Sequence, residues 1–239
     1  MWLPTRIVSY LPTRRQGTTV PSADGVPLHV ESYGTGEPVT VFAAGLGATI
    51  AETRTLGSGV VGTRVFFDFR GHGGSGVADD WSYAALVADL RAVADAVGAT
   101  RAVGVSMGAA AIMGVLGTTP RRFARAVFYL PAILDEPRGN VPTPDLDPAV
   151  VSAAAVTGLV RALAETAPVA GRALLARVDV PCLVVGQEGD PLHPAAVALA
   201  LAAALPNARL HVFDTPGGLR VHRAVMRSLV SEFLNTVDG

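Results

Sequence analysis

The sequence predicts an α/β fold in which helices cover both faces of a mostly parallel sheet. Short runs rich in β-branched and apolar residues alternate along the chain with Ala-rich stretches of helical spacing. The strand-like runs are apolar almost throughout, which is typical of strands buried on both faces of a parallel sheet. A length of 239 residues, half of them hydrophobic, suffices for one sizeable core.

The predicted strands end where glycine, proline or a polar turn interrupts an apolar run. Gly45 follows one such run and Pro131 stops another. The strands are expected within residues 27–34, 39–45, 64–76, 101–117, 125–131, 181–190 and 208–218. Because parallel sheets carry their sites at the carboxyl ends of strands, the residues after these runs are the first candidates for function.

The predicted helices show apolar residues at a spacing of three to four. Residues 81–98 end in Gly98, a helix stop, and Pro194 suits the first turn of the helix in 194–206. The second half of 101–117 and the amphipathic stretch from Val221 to Leu234 complete the set.

One segment interrupts the alternation of strands and helices. Residues 132–172 are rich in proline and acidic side chains and then turn to short helical pieces. The segment is too short for an independent core, so we interpret it as a cap insertion over the strand ends of a single domain, 18–239. Residues 1–17 form an N-terminal arm, which either packs on its own chain or contacts a second copy in a homodimer.

Composition limits the function classes. A net charge of −1, with 16% charged residues, excludes nucleic acid and anionic membrane as expected partners. The single cysteine, Cys182, is interpreted as a buried strand residue, and no residues stand at metal-ligand spacing, so no metal or cofactor is predicted. Without a signal-peptide h-region or a membrane-length apolar run, the expectation is a soluble cytoplasmic protein.

Ser106 is the candidate nucleophile. It lies between Gly104 and Gly108, where a predicted strand turns into a helix. Two glycines allow a tight turn and a close approach of helix and strand. The helix N-terminus would favour developing negative charge and offers the N–H of Met107 to an oxyanion. The alternative is a structural turn made of small residues.

Four motifs, in order, carry a resemblance. They are AAGLGA (43–48), FFDFRGHGGSG (66–76), GVSMG (104–108) and VVGQEGDPLHP (184–194). They resemble the oxyanion loop, the D-x-R-G-x-G-x-S loop, the nucleophile elbow and the acid-bearing loop of the α/β-hydrolase fold superfamily. The resemblance runs from about Thr18 to the C-terminus. It implies an eight-stranded-type, mostly parallel sheet with a short cap, and a serine esterase-like site.

The resemblance also implies roles for further residues. Asp190 would be the acid that orients a histidine, with Glu188 as the substitute and a loop-capping aspartate as the alternative. The N–H groups of Leu46 and Met107 would form the oxyanion hole. Asp68 and Arg70 are interpreted as structural.

The catalytic base is predicted by elimination among five histidines. His29 and His211 lie in predicted strands, His193 is interpreted as capping its own loop, and the resemblance gives His72 no base role. His222 remains, and it follows the last strand, where the family carries its catalytic histidine.

The sequence departs from the family's pattern at the position of the catalytic histidine. Leu219 occupies the place where the family's histidine falls, and His222 comes three residues later. His222 would share a helix face with Val225, Met226 and Leu229, which is compatible with reaching Ser106 and equally with packing on the core.

The leading hypothesis is a serine hydrolase that cleaves a small carboxylic ester or related acyl bond with Ser106, His222 and Asp190. Its substrate would be a small molecule with an apolar acyl group. One alternative is a catalytically weak or inactive binding protein, because of Leu219. The other is a C–C hydrolase, a lyase or a cofactor-free perhydrolase on the same fold.

Overall fold

The structure is a computed structural model that describes residues 17–139, 141 and 143–236. The predicted N-terminal arm therefore lies outside the described residues except for Gly17. Within the described ranges, no helix has the length and apolarity that crossing a membrane requires.

Among the described residues, eight strands form one sheet in the order β1-β2-β4-β3-β5-β6-β7-β8. β2 is antiparallel to both β1 and β4, and all other neighbours are parallel. The strands are β1 (Thr18–Pro21), β2 (Pro27–Tyr33), β3 (Val39–Ala43), β4 (Thr63–Phe67), β5 (Arg101–Val105), β6 (Arg125–Tyr129), β7 (Cys182–Gln187) and β8 (Ala208–Phe213). The mostly parallel α/β sheet is confirmed, and β1 is a strand that the sequence analysis missed.

Within the part of the chain that the structure describes, six α-helices and two 3₁₀ helices accompany the strands. The α-helices are α1 (Ile50–Thr53), α2 (Tyr83–Ala96), α3 (Met107–Thr118), α4 (Ala153–Glu165), α5 (Ala195–Ala204) and α6 (Gly218–Asn235), and the 3₁₀ helices are Arg54–Gly57 and Arg172–Arg177. Helix α6 begins three residues before the predicted start at Val221, which puts His222 in its second turn rather than its first.

Each face of the sheet has its own hydrophobic core. Helices α2, α3 and α5 pack on one face, and α1 and α6 pack on the other. Strand β3 shows the division, since Val41 belongs to the first core and its neighbour Phe42 to the second. Burial on both faces explains why the central strands are apolar throughout.

The parallel strands end together at one edge of the sheet. Val105 pairs with Tyr129, Tyr129 with Val185, and Gln187 with Phe213. This register brings the loops after β3, β5, β6 and β7 to the same edge, so residues far apart in sequence meet there.

The 132–172 insertion lies across the loop that follows β4. Gly73 N–H donates to Val150 O at 2.8 Å, and Ser152 N–H donates to Gly71 O at 3.1 Å. An ion pair of 2.8 Å between Asp135 and Arg172 joins the two ends of the insertion. Its helix, α4, begins at the N-cap Ser152, whose hydroxyl accepts from Ala155 N–H.

Helix α3 comes unusually close to the sheet. A Cβ atom added to Gly108 would lie 2.2 Å from Ala43 O, and one added to Gly104 would lie 2.5 Å from the Gly108 carbonyl. Both obstacles are backbone atoms, which cannot rotate away. The two glycines therefore set the distance between α3 and the strand ends beneath it.

We predict that Gly104→Ala lowers the free energy of unfolding by about 1–3 kcal/mol, because the new methyl group overlaps backbone. Gly171→Ala is the matched control, since nothing lies within 4 Å of its added Cβ. Urea unfolding of both variants measures the difference. Equal stabilities for the two variants would contradict the proposed close approach.

Candidate active site

Ser106 is held in a strained turn at the edge of the sheet. It is the single residue between β5 and α3, with φ 50° and ψ −105°. A left-handed conformation in a residue other than glycine costs on the order of 1–3 kcal/mol and persists only where its surroundings enforce it. Ser106 N–H donates to Tyr129 O at 2.9 Å, which helps to hold the turn. The side chain stands at the N-terminus of α3, as the sequence predicts for an elbow.

His193 is the histidine that reaches Ser106. Its Nε2 lies 2.9 Å from Ser106 Oγ, and its Nδ1 lies 2.9 Å from Asp190 Oδ2. An ionised carboxylate only accepts hydrogen bonds, so Nδ1 carries the proton and Nε2 accepts from the Ser106 hydroxyl. The structure therefore joins Ser106, His193 and Asp190 into one hydrogen-bonded chain.

Asp190 receives four donors, two on each carboxylate oxygen. Oδ1 accepts from the N–H groups of Leu192 and His193, at 2.8 and 3.1 Å. Oδ2 accepts from His193 Nδ1 and, at 2.6 Å, from Gln187 Nε2. Asp190 thus caps its own loop and orients the histidine, so the two interpretations of its role are compatible.

Gln187 extends this network to the last helix. It is buried at the end of β7, and its Oε1 accepts from Gly218 N–H at 2.9 Å. The amide orientation follows, since Oε1 must face a donor and Nε2 must face the carboxylate. Glu188, the substitute acid, is exposed, and its backbone N–H donates to Phe213 O at 2.8 Å.

The structure does not place His222, the predicted base, in contact with Ser106. His222 Nε2 lies 2.8 Å from Thr215 O, and the ring stacks on Phe213 with centroids 3.8 Å apart. Because α6 starts at Gly218, the second-turn position turns His222 toward β8 and away from Ser106. The packed-histidine alternative describes it correctly. Leu219 lies in the first turn of α6, and its side chain is outside the described part of the structure.

His193, which is interpreted from the sequence as capping its own loop, both donates its N–H to Asp190 within that loop and places its ring between Asp190 and Ser106. Its nearness to Asp190 suggested a loop-capping role, yet a spacing of three residues in a turn brings the ring back onto the carboxylate. The sequence pattern that indicates His193 is Asp-x-x-His after a buried strand. The sheet register places the end of that strand beside Ser106.

The predicted oxyanion donors lie beside Ser106. Gly45 is close enough that an added Cβ would lie 3.4 Å from Ser106 Cβ, and Leu46 and Met107 line the same cavity. Met107 is the first residue of α3, where N–H groups have no partner within the helix.

His72 fixes the loop that carries Leu46. Its Nε2 lies 3.1 Å from Gly47 N, and its Nδ1 lies 2.9 Å from Arg70 O. Because Gly47 N–H is a donor and Arg70 O is an acceptor, the ring is neutral with its proton on Nδ1. Sequence reasoning gave His72 no role.

Asp68 and Arg70 hold loops together, in line with their interpretation as structural residues. Asp68 Oδ2 accepts from Gly74 N–H and contacts His29 Nδ1 at 3.0 Å. The fully buried Arg70 pairs with Asp89 at 2.7 Å and with Asp24 at 2.8 Å.

Burial shapes the protonation of the site. It is the strongest influence on His193 and lowers the pKa of that imidazole below its ordinary value, although Asp190 acts in the opposite direction and Arg138 in the same one. Burial works to raise the pKa of Asp190, but the hydrogen bonds and charge of His193, together with Gln187, outweigh it and leave the pKa lowered. At neutral pH the pair is a neutral imidazole beside a carboxylate.

A largely apolar cavity of about 250 Å³ opens beside Ser106. Its walls come from the loops after β3 and β6, from α2 and α3, and from the insertion. The apolar wall includes Leu46, Leu130, Ile133, Leu146, Leu159 and Leu163. Such a wall can bury an apolar group, and within the described residues no set of three or more His, Cys or carboxylate side chains is grouped as metal ligands would be.

We predict that acid destabilises the protein between pH 7 and pH 5, partly through His72. Burial lowers the pKa of His72 in the folded state, whereas an unfolded histidine titrates near 6.5. The unfolded chain therefore binds the proton first, and stability falls as the pH drops, by at most about 1.4 kcal/mol per pH unit for each histidine.

In His72→Gln the slope of unfolding free energy against pH should be shallower, because this proton is no longer bound on unfolding. Urea unfolding at pH 7, 6 and 5 gives both slopes. Parallel slopes for the two proteins would show that His72 titrates in the folded state as it does in the unfolded state.

The chain matches the model of the alpha/beta hydrolase family over residues 40–228. No curated protein matches the chain. Three solved structures are similar to it in fold. An esterase from Exiguobacterium antarcticum is 18% identical with a TM-score of 0.76, over 91% of this chain and 99% of the other.

A hydrolase from Pseudomonas aeruginosa is 20% identical with a TM-score of 0.77, over 92% of this chain and 99% of the other. A thermophilic esterase from Thermogutta terrifontis is 17% identical with a TM-score of 0.74, over 92% and 98%. At these identities the likeness concerns the fold. The family model spans most of the 239 residues, and the chain therefore belongs to the alpha/beta hydrolase family.

Proposed function

We propose that the protein is a serine hydrolase that cleaves a small carboxylic ester, or a related acyl bond, with Ser106, His193 and Asp190. Membership of the alpha/beta hydrolase family supports a hydrolase. The observation that carries the finer proposal is the pair of 2.9 Å contacts that His193 makes with Ser106 and Asp190.

The first half of the reaction forms an acyl-enzyme. His193 Nε2 takes the Ser106 proton as Oγ attacks the substrate carbonyl carbon, and the carbonyl oxygen becomes an oxyanion. The N–H groups of Leu46 and Met107 stabilise that charge, a contribution that is typically about 3 kcal/mol for each donor. The intermediate collapses, the carbon–oxygen bond to the alcohol breaks, and His193 gives its proton to the leaving alkoxide.

The second half repeats these steps with water. His193 takes a proton from water, whose oxygen attacks the acyl carbon, and returns it to Ser106 Oγ as the acid leaves. Asp190 keeps the imidazole proton on Nδ1 and stabilises the imidazolium in both halves. The lowered pKa of His193 keeps the resting base neutral at pH 7, as both halves require.

The alternative of an inactive binding protein was motivated by Leu219 at the family's histidine position. The position of His193 at hydrogen-bond distance from Ser106 supports the hydrolase over this alternative. No observation favours a C–C hydrolase, a lyase or a perhydrolase over acyl hydrolysis.

We predict that Ser106→Ala and His193→Gln abolish hydrolysis of p-nitrophenyl butyrate, whereas His222→Gln retains activity within a few fold. Loss of a triad serine or histidine costs on the order of 10⁶ in turnover in serine hydrolases. Initial rates of the purified proteins provide the measurement, and circular dichroism checks that each variant is folded.

Labelling by a fluorophosphonate probe reports on Ser106 independently of the choice of ester. Rapid labelling of wild type and of His222→Gln, with none in Ser106→Ala, is expected. An active His193→Gln variant beside an inactive His222→Gln variant would overturn the assignment of the base.

We further predict that an apolar acyl group is preferred over a charged one of equal length. The kcat/KM for p-nitrophenyl butyrate should exceed that for p-nitrophenyl hemisuccinate by at least about 100-fold, because the terminal carboxylate would be buried without a partner in an apolar cavity. Equal values for the two esters would show that the acyl group does not enter the cavity beside Ser106.

A further inference from the structure

The loop between the acid and the base is held by a side chain from the insertion. Arg138 donates from Nη1 to Leu192 O at 2.6 Å and from Nη2 to Pro191 O at 3.1 Å. Pro191 and Leu192 are the two residues that separate Asp190 from His193. One guanidinium therefore donates to both carbonyls of the segment that sets the distance between the Asp190 carboxylate and the His193 imidazole.

The backbone at Arg138 is hydrogen-bonded to helix α4. Arg138 N–H donates to Leu163 O at 3.2 Å, and Gly139 N–H donates to Ala164 O at 3.0 Å. These carbonyls belong to the last turn of α4, where helix C=O groups have no partner within the helix. Arg138 thus links the C-terminal end of α4 to the loop that carries His193.

From these contacts, we propose that Arg138 is a positioning residue for catalysis: it holds the 190–193 loop so that His193 stays on Ser106. The proposal rests on the proposed function of His193 as the base. Arg138 does not line the cavity beside Ser106, so it acts through the loop rather than on the substrate.

The 190–193 loop needs these contacts because of the position of His193 in the chain. His193 lies outside every helix and strand, one residue before the N-cap of α5. Asp190 holds its side of the loop through four hydrogen bonds, and the two intervening carbonyls accept from Arg138. A displacement of about 1 Å at a catalytic group can cost on the order of 100-fold in rate.

Arg138 also contributes charge. The charged groups that act on His193 are Asp190, from its own loop, and Arg138, from the insertion, and the Arg138 cation lowers the pKa of His193. Removal of the cation should therefore move the acidic limb of the rate profile to higher pH. A purely structural residue would leave that limb in place.

The test compares Arg138→Gln, Arg138→Lys and Arg172→Gln with wild type. Arg172 is the matched control, because it belongs to the same insertion and pairs with Asp135 but does not contact the 190–193 loop. In Arg138→Gln, kcat should fall roughly 10- to 100-fold while KM changes less than about threefold. Arg172→Gln should keep the wild-type kcat.

Arg138→Lys separates charge from geometry. Lysine keeps the positive charge, but its ammonium group lacks the planar guanidinium that donates to both carbonyls at once. Its acidic limb should stay near that of wild type, while its kcat lies between those of wild type and Arg138→Gln. Thermal melting of each variant checks that the fold is intact.

A second readout does not need turnover. Titration of ¹³C-labelled histidine by NMR, with the His193 signal assigned from His193→Gln, should give a higher His193 pKa in Arg138→Gln than in wild type. An Arg138→Gln protein with wild-type kcat and an unmoved His193 titration would overturn the proposal. Equal losses in Arg138→Gln and Arg172→Gln would also overturn it, because they would reflect only a weakened insertion.

These outcomes are distinct from failure of the proposed function. If wild type neither hydrolyses esters nor reacts with fluorophosphonate, the function fails, and the NMR titration still tests the contact between Arg138 and the loop. If wild type is active and Arg138→Gln matches it in every readout, only the role of Arg138 fails.

Discussion

The approach of helix α3 to the ends of β3 and β5 is the constraint on which the site depends. There is no space for a side chain at Gly104 or Gly108, because backbone atoms lie against both positions. With the helix this close to the strand, a single residue makes the turn from β5 into α3. That residue is Ser106, which is forced into a left-handed conformation and projects from the edge of the sheet. The 43–48 and 190–193 loops are arranged around the position that this turn fixes.

The sheet and the tight turn at Ser106 could be predicted from the sequence, because both depend on residues that are close together along the chain. Buried parallel strands are apolar along their whole length, and the turn at Ser106 requires glycine on either side. Asp190 could be placed at a strand end by the same reasoning. Strand β1 was missed because its four residues are mostly exposed and carry no apolar run.

The histidine that contacts Ser106 could not be identified by the same route, because the choice among histidines depends on side-chain direction. His222 and His193 both follow strands that end at the correct edge. A start of α6 only three residues earlier than expected turned His222 onto Phe213. His72 and Gln187 were missed for a related reason, since each acts by orienting a neighbouring backbone or carboxylate, and no sequence pattern records such a contact.

The short separation of Asp190 and His193, the proposed acid and base, has a consequence for the chain as a whole. Asp190 and His193 are brought together by closing a loop of three residues, which costs little chain entropy compared with a contact across distant elements. The hydrogen bond between Asp190 and His193 is made within that loop, and α6 is linked to the pair through Gln187, which donates to Asp190 and accepts from Gly218 N–H. The last helix therefore does not carry the histidine that contacts Ser106, and it supports the pair through the Gln187 contact instead.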